Sequence, residues 1–370
     1  MKISFLIPSI RQGGAERQFI LLAKYLSKKG YSVNFITYKE ENCFYDLHNV
    51  DQIHISKLKK IDLNFLKSLV SFVRENNINI LFSCYQGIFE GPLLWARIVK
   101  FFYPDVKVIT GYRNSYFSKS SILIEKLTRH MSSLSITNNL QALNFLKSNL
   151  KTDEKKVRYI PNMLDRENFY PLSNEKIFDL KCKYFPKLNE KYLCGLLGSY
   201  SIQKNYKTII EVAKYMQKVD KINNYHFAIY GDKNCIGSQF TKLSSLIEKS
   251  GLSNVISLNL SINNVNEILN CFDVIILPSL YEGTPNVVLE ALICKKPVII
   301  SIAANKSKLI LEGINGLIFE TNNYYQLADC ILKMKNNSIK LNDSYMESFF
   351  ELYDNKRVVD DYVDCFESIL

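Results

Sequence analysis

The sequence holds no apolar run approaching the roughly 18 residues that span a bilayer, and no Cys-x-x-Cys pair. The first absence predicts a soluble or peripheral protein. Its apolar start is stopped by Pro8, too soon for a secretory leader, and reads as a first strand. Nine cysteines, an odd number, lie scattered along the chain with only four histidines, so neither a disulfide framework nor a zinc site is expected. A reducing cytoplasm fits this pattern. Tandem repeats and low-complexity tracts are also missing; residues 335–338 form only a short polar loop.

What is present is length and a lopsided charge. At 370 residues the chain exceeds the range of about 250 to 300 at which single cores stop growing, so two domains are expected. Residues 1–165 carry 24 Lys and Arg against 13 Asp and Glu, whereas residues 166–370 carry 23 against 23, so the net charge of +11 arises wholly in the first half. A one-sided positive field favours a polyanionic partner: nucleic acid, an acidic membrane surface or an anionic acceptor.

Runs rich in Ile, Val and Phe alternate with helical stretches. Strands are predicted at 2–8, 32–37, 80–84, 107–110 and 134–137, and helices at 15–29, 63–75, 92–102, 122–131 and 140–147. The stretch from Ile160-Pro161-Asn162 to Phe169-Tyr170-Pro171 breaks the rhythm and marks an interdomain crossing. Strands then follow at 192–197, 226–230, 255–258, 274–277, 297–301 and 316–319, with helices at 206–216, 241–249, 265–270 and 286–294 and three more at the end. Apolar strands separated by helices predict parallel sheets covered on both faces. The domains are drawn at 1–165 and 166–354, with a last helix, 355–370, that can pack back on the first.

Three segments carry candidate chemistry. After the first strand, Gly13-Gly14-Ala15-Glu16 opens a helix; paired glycines permit close backbone approach and a helix N-terminus favours anions, although a plain tight turn reads as well. After the strand at 192–197 come Gly198-Ser199 and then Lys204-Asn205, where a cation at a parallel sheet's carboxyl edge suits a diphosphate. The third segment is Pro278-Ser279-Leu280-Tyr281-Glu282-Gly283-Thr284-Pro285-Asn286, with Thr284 as expected N-cap and Pro285 as first helical residue. Glu290 follows inside the apolar run Val287-Val288-Leu289-Glu290-Ala291-Leu292. There a buried carboxylate is costly unless satisfied, for which a ribose diol would serve; a surface position is the alternative.

In order and spacing, Gly13-Gly14, Ile160-Pro161-Asn162 with Asp165, Gly198 with Lys204-Asn205, Pro278-Ser279 with Glu282 and Glu290 seven residues between, and Asn315-Gly316 resemble the family 4 retaining glycosyltransferases. The resemblance covers nearly the whole chain and implies an α/β GT-B fold, two Rossmann-like βαβ domains facing a cleft. It implies transfer of a hexosyl or N-acetylhexosaminyl group from a nucleotide diphosphate sugar, a UDP-sugar rather than a GDP-sugar. Glu282 would meet the transferred sugar, Lys204 the diphosphate and Glu290 the donor ribose. Glu282 and Lys204 would then be catalytic. Gly14, Gly198, Ser199, Asn205 and the segment Gly283, Thr284, Pro285 and Asn286 would complete the donor site, with Glu16, Arg113 and Asn114 toward the acceptor or sugar.

This chain also departs from the family pattern. Ser199 stands where the family carries Arg, Lys308 where a glutamate is common, Lys296 for a Gly, and Thr110-Gly111-Tyr112-Arg113-Asn114 where relatives place a His. No Asp-x-Asp pair ends a strand, so metal-free transfer is expected, with no cofactor beyond the nucleotide sugar. The family analogy points to a lipid-linked saccharide acceptor in O-antigen or capsule synthesis, to a peripheral location on the inner membrane face, and away from nucleic acid. Residues 92–107, which mix Leu93, Trp95 and Phe101 with Arg97, Lys100 and Lys107, read either as an interfacial helix or as a core helix with snorkelling cations. A nucleotide-sugar epimerase and a non-catalytic nucleotide-sugar-binding partner remain open on sequence alone.

Overall fold

The structure, a computed structural model, describes residues 1–10, 13–40, 45–47, 50–84, 91–113, 119–188, 190–235, 237–336 and 343–370. The candidate residue Asn114 lies outside the described residues. The chain divides into two compact units, Met1–Met163 with Leu352–Leu370, and Leu164–Glu351.

The first unit runs β1 (Lys2–Leu6), α1 (Gly14–Lys28), β2 (Ser32–Thr37), β3 (Asp51–His54), α2 (Leu63–Glu75), β4 (Ile80–Cys84), α3 (Pro92–Phe102), β5 (Lys107–Tyr112), α4 (Lys119–Thr128), β6 (Leu134–Thr137), α5 (Leu140–Asn144) and β7 (Val157–Tyr159). The second runs α6 (Asn174–Tyr184), β8 (Tyr192–Leu197), α7 (Lys207–Lys218), β9 (Tyr225–Gly231), α8 (Phe240–Lys249), β10 (Ile256–Leu260), α9 (Val265–Cys271), β11 (Val274–Leu277), α10 (Asn286–Ile293), β12 (Val298–Ser301), β13 (Gly316–Phe319), α11 (Tyr324–Asn336) and α12 (Asp343–Glu351). Helix α13 (Asn355–Glu367) returns to the first unit, where Val358, Val359, Tyr362 and Phe366 join the core around Phe5, Phe19 and Phe82.

Each unit holds one all-parallel sheet, ordered β3-β2-β1-β4-β5-β6-β7 in the first and β10-β9-β8-β11-β12-β13 in the second. The order reverses direction between β1 and β4, and again between β8 and β11. Such a switch point opens a crevice outside the carboxyl ends of its two strands, because the flanking connections leave to opposite sides. The central strand β11, Val274-Ile275-Ile276-Leu277, is apolar and fully buried, and Gly195 of β8 gives its Cβ space to the Phe272 ring.

The edges differ from the sequence expectation for a plain reason. Strands β3 and β7 were not predicted: β3 (Asp-Gln-Ile-His) has only Ile53 half-buried, and β7 buries Val157 alone, so neither has the apolar run of a central strand. The helix predicted at 122–131 starts earlier, at Lys119, and ends in a 3-10 turn, Arg129–Met131, while the one at 140–147 widens to a π turn over Phe145–Asn149.

Helix α3 is a core helix. Arg97 is only 1% exposed and is held by Glu125 at 2.9 and 3.2 Å, Thr128 at 2.8 Å and Ser132 at 2.9 Å. The Tyr112 hydroxyl donates to the same carboxylate at 2.7 Å, and burial together with that anion raises its pKa. Lys100 donates to Ser133 at 2.8 Å. The reading of 92–107 as an interfacial helix therefore fails, because its central cation points inward and is saturated with acceptors. Glu125→Ala leaves that guanidinium buried without its counter-ion and is expected to cost about 3–5 kcal/mol in denaturant unfolding. A loss under 1 kcal/mol would mean water reaches the cluster.

Candidate functional site

The second unit's switch point gathers the strongest candidates. The chain leaves β8 through Gly198 at φ +152°, a conformation that disfavours a side chain, and a Cβ there would sit 2.8 Å from Lys204 Cε and 3.1 Å from the Tyr206 hydroxyl. Gly198 thus lets the Lys204 stem lie across the strand end. Gly231, at the end of β9, is required for the same reason, since a Cβ would overlap the Gly198 carbonyl oxygen. Tyr206 fixes that carbonyl by donating to it at 3.1 Å.

A 3-10 turn, Ile202–Lys204, follows and ends at Asn205 in the left-handed region, φ 53°. From there the Asn205 amide donates to the Pro278 carbonyl at 3.1 Å and to Asn322 Oδ1 at 3.0 Å. Leu280 N donates to the Gln203 carbonyl at 2.8 Å, and Gln203 Nε2 donates to the Tyr281 carbonyl at 2.8 Å. The loops after β8 and β11 are therefore stitched together, and Lys204 Nζ meets Glu282 Oε1 at 2.6 Å. Their side chains are 16% and 10% exposed, so this is a largely buried ion pair held at one end of a rigid frame.

Helix α10 begins at Asn286, where the alternation of strands and helices predicts it, but its cap differs from the sequence expectation. Pro285 is its N-cap, with φ −72° and ψ 112°, and makes no side-chain cap bond, so Thr284 is not the cap and Pro285 is not helical. The N-terminus thus turns the positive end of the α10 dipole toward the switch point. Gly283, Thr284 and Pro285 are buried and Asn286 half-buried. Glu290 is 8% exposed, on α10 among Val288, Leu289, Ala291 and Leu292, so the surface alternative fails. Ser199 donates to the Ser201 hydroxyl at 3.2 Å and supplies no cation. Lys308 is exposed and left-handed at φ 54°.

At the first unit's switch point, Gly13 is extended before α1, and a Cβ there would strike the Glu16 carboxylate, which folds back over it. The Tyr45 hydroxyl bridges the Gly13 N–H and carbonyl, each at 3.1 Å. Gly14 is the first residue of the helix. Arg113 leaves the end of β5 and donates to Asn162 at 3.0 Å and Tyr362 at 3.1 Å, with its guanidinium over the Phe19 ring at 5.4 Å. Between Arg113 and Glu16 sits buried Cys84, whose thiol is pushed up to about 12, first by desolvation, with Arg113 lowering it and Glu16 raising it. Sequence reasoning missed Cys84, Tyr206, Gln203, Asn322 and Tyr362. These side chains carry no motif, because each acts by anchoring a loop drawn from elsewhere in the chain.

Residues 12–168 match the family described as Glycosyltransferase Family 4, and residues 183–348 match Glycosyl transferases group 1. A poly(ribitol-phosphate) alpha-N-acetylglucosaminyltransferase of Staphylococcus aureus is 28% identical over 56% of this chain and 41% of its own. An Escherichia coli UDP-Gal:alpha-D-GlcNAc-diphosphoundecaprenol alpha-1,3-galactosyltransferase is 27% identical over 51% and 48%. The chain thus spans about half the length of these two relatives. A Campylobacter jejuni alpha-1,4-N-acetyl-D-galactosaminyltransferase, named for an undecaprenol-diphosphate-linked glycan, is 26% identical over 89% and 87%. Among solved structures, Anabaena HepE in complex with UDP and glucose superposes with a TM-score of 0.85 at 17% identity, covering all of both chains. A Rickettsia africae glycosyltransferase superposes at 0.82, also at 17%, over 100% and 98%. These likenesses show the GT-B fold.

Lys204→Ala and Glu282→Ala, made singly and together, should show a coupling of about 1.5–3 kcal/mol in a thermodynamic cycle of thermal or denaturant unfolding, as for hydrogen bonds to charged groups. Additive losses would leave the pair without mutual stabilisation.

Proposed function

The chain belongs to the glycosyltransferases, its first half to family 4 and its second half to group 1, and from that premise we propose that it transfers a sugar from a UDP-sugar to a lipid-linked saccharide acceptor in cell-surface glycan synthesis, such as that of O-antigen or capsule. The observation that carries this reading is the Lys204–Glu282 pair beside the start of α10 at the β8/β11 switch point. A cation, an anion and the positive end of the α10 dipole converge there, as a diphosphate leaving group and its sugar require.

In this reading Lys204 and the positive end of the α10 dipole take up the charge that develops on the departing diphosphate. Glu282 exchanges part of its contact with Lys204 for hydroxyls of the transferred sugar, and Glu290 accepts from the ribose diol. Gly198 keeps the β8 edge bare so that Lys204 can lie against the ligand. With no carboxylate nucleophile assigned, front-face attack with retention is favoured over a covalent glycosyl-enzyme. The positive groups are the protein's own, so transfer proceeds without a metal. The UDP and UDP-glucose complexes of HepE support a uridine donor, and the undecaprenol-diphosphate names of the E. coli and C. jejuni relatives support a lipid-linked acceptor. In this reading transfer takes place at the inner membrane face, where a lipid-linked acceptor is held; no helix of the described residues is long and apolar enough to cross a membrane.

Calorimetric titration with UDP and GDP tests the donor site. UDP should bind the more tightly, and Glu290→Gln should weaken it by about tenfold or more, since charge-assisted hydrogen bonds contribute about 1.5–3 kcal/mol. Equal affinity in a folded Glu290→Gln protein would remove the ribose role. Lys204→Ala should slow sugar transfer by about a hundredfold, a few kcal/mol of leaving-group stabilisation, and transfer should survive EDTA. Full turnover of Lys204→Ala, or EDTA inactivation reversed by magnesium, would overturn the mechanism.

A further inference from the structure

The connection between β3 and α2, residues 55–62, with the first turn of α2, carries an arrangement that the donor site does not use. Leu58, Ile61 and Leu63 are 86%, 69% and 73% exposed. Three large aliphatic side chains crowded into six residues are unusual on a water-facing surface. They are interleaved with Lys57, Lys59 and Lys60, with Lys67 one turn further on; of these four, Lys59, Lys60 and Lys67 are exposed. The single acid in the segment, Asp62, is turned inward. Its carboxylate accepts from Leu58 N at 2.9 Å, Lys59 N at 3.3 Å and Phe65 N at 3.0 Å. Those bonds hold its pKa low, so Asp62 stays ionised with its charge turned onto three backbone N–H donors, one anion beside Lys57, Lys59 and Lys60. They also fix the backbone, so the aliphatic groups are presented by a tied loop. Lys57 adds to this by lying over the Tyr38 and Trp95 rings, at 5.7 and 5.6 Å.

We propose that residues 57–63, with Lys67, form the surface by which this protein docks on an anionic lipid bilayer, Leu58, Ile61 and Leu63 entering the headgroup boundary while the lysines meet lipid phosphates. The charge pattern selects this occupant. Aliphatic groups alone would suit many partners, but apolar residues set among cations, in a half carrying 24 basic against 13 acidic residues, match an apolar layer capped by anions. Position agrees with it. Because the first sheet is all-parallel, this loop leaves the same edge as the Gly13 turn and Arg113, so docking would bring the unit's carboxyl edge to the membrane. That benefit rests on the proposed lipid-linked acceptor, whereas the docking itself does not. An exposed aromatic pair, Phe101 and Phe102, lies at the carboxyl end of α3, but the cations before it are engaged: Arg97 with Glu125 and Lys100 with Ser133.

Sedimentation of the full chain with phosphatidylglycerol-containing and pure phosphatidylcholine vesicles, at low and high salt, tests the proposal. Binding should require phosphatidylglycerol and weaken with salt, because the Debye length is only about 8 Å at physiological ionic strength. Lys59→Glu with Lys60→Glu should lower partitioning by more than tenfold, as each basic residue near the surface contributes about fivefold. The triple change of Leu58, Ile61 and Leu63 to Ser should lower it by about tenfold or more, while Phe101→Ser with Phe102→Ser should leave it unchanged. Calorimetric UDP binding separates the two readings: a variant that binds UDP normally but not vesicles supports docking through this surface. Failure of UDP binding in the unaltered protein would count against the donor site alone. No vesicle binding by the unaltered chain, equal binding by the triple Ser variant, or loss in the Phe101/Phe102 variant would overturn the proposal.

Discussion

The constraint on which the rest depends is that every strand in each sheet points the same way. Parallel strands need long return connections, so every strand-to-helix loop of a unit leaves one edge and every helix-to-strand loop leaves the other. Where the strand order reverses, two loops diverge and the edge opens. In the second unit those are the loops after β8 and β11, which bring Lys204 and Glu282 to 2.6 Å although 77 residues separate them in sequence. In the first unit the same rule brings Glu16, Cys84 and Arg113 together from β1, β4 and β5.

How legible this was from sequence depended on burial. Strands rich in Ile, Val, Leu and Phe announce themselves as apolar runs: β4, β6, β8, β11 and β13 were predicted to the residue, because most of their side chains are buried. Edge strands β3 and β7 were invisible, being half solvated. Individual site residues were legible where a side chain contradicts its surroundings, as Glu290 does inside an apolar helix. The loop frame was not legible. That Asn205 and Gln203 tie one loop to the other, or that Gly198 clears space for the lysine stem, is a property of three-dimensional proximity. The cap of α10 shows the limit: Thr284-Pro285 has the composition of a cap and first turn, yet the chain enters the helix one residue later.

Charge was the least transparent signal. The count of basic residues in the first half is correct, but a count does not say which cations face water. Arg97 contributes to it while satisfying Glu125, Thr128 and Ser132 inside the core, so its charge is cancelled locally. Lys59 and Lys60, in a loop without notable periodicity, are exposed beside aliphatic groups.

Helix α13 gives the molecule a history as well as a shape. Its Tyr362 accepts from Arg113 and packs on Phe82, and Phe366 fills the same core. The first unit is therefore made from both ends of the sequence, with the second unit inserted between them. On a ribosome, where chains emerge at about 5–20 residues per second, the second unit has all its residues before the first has its last helix. Until α13 arrives, the first unit waits with aromatic surface uncovered, which makes that interval the period when a chaperone has most to protect.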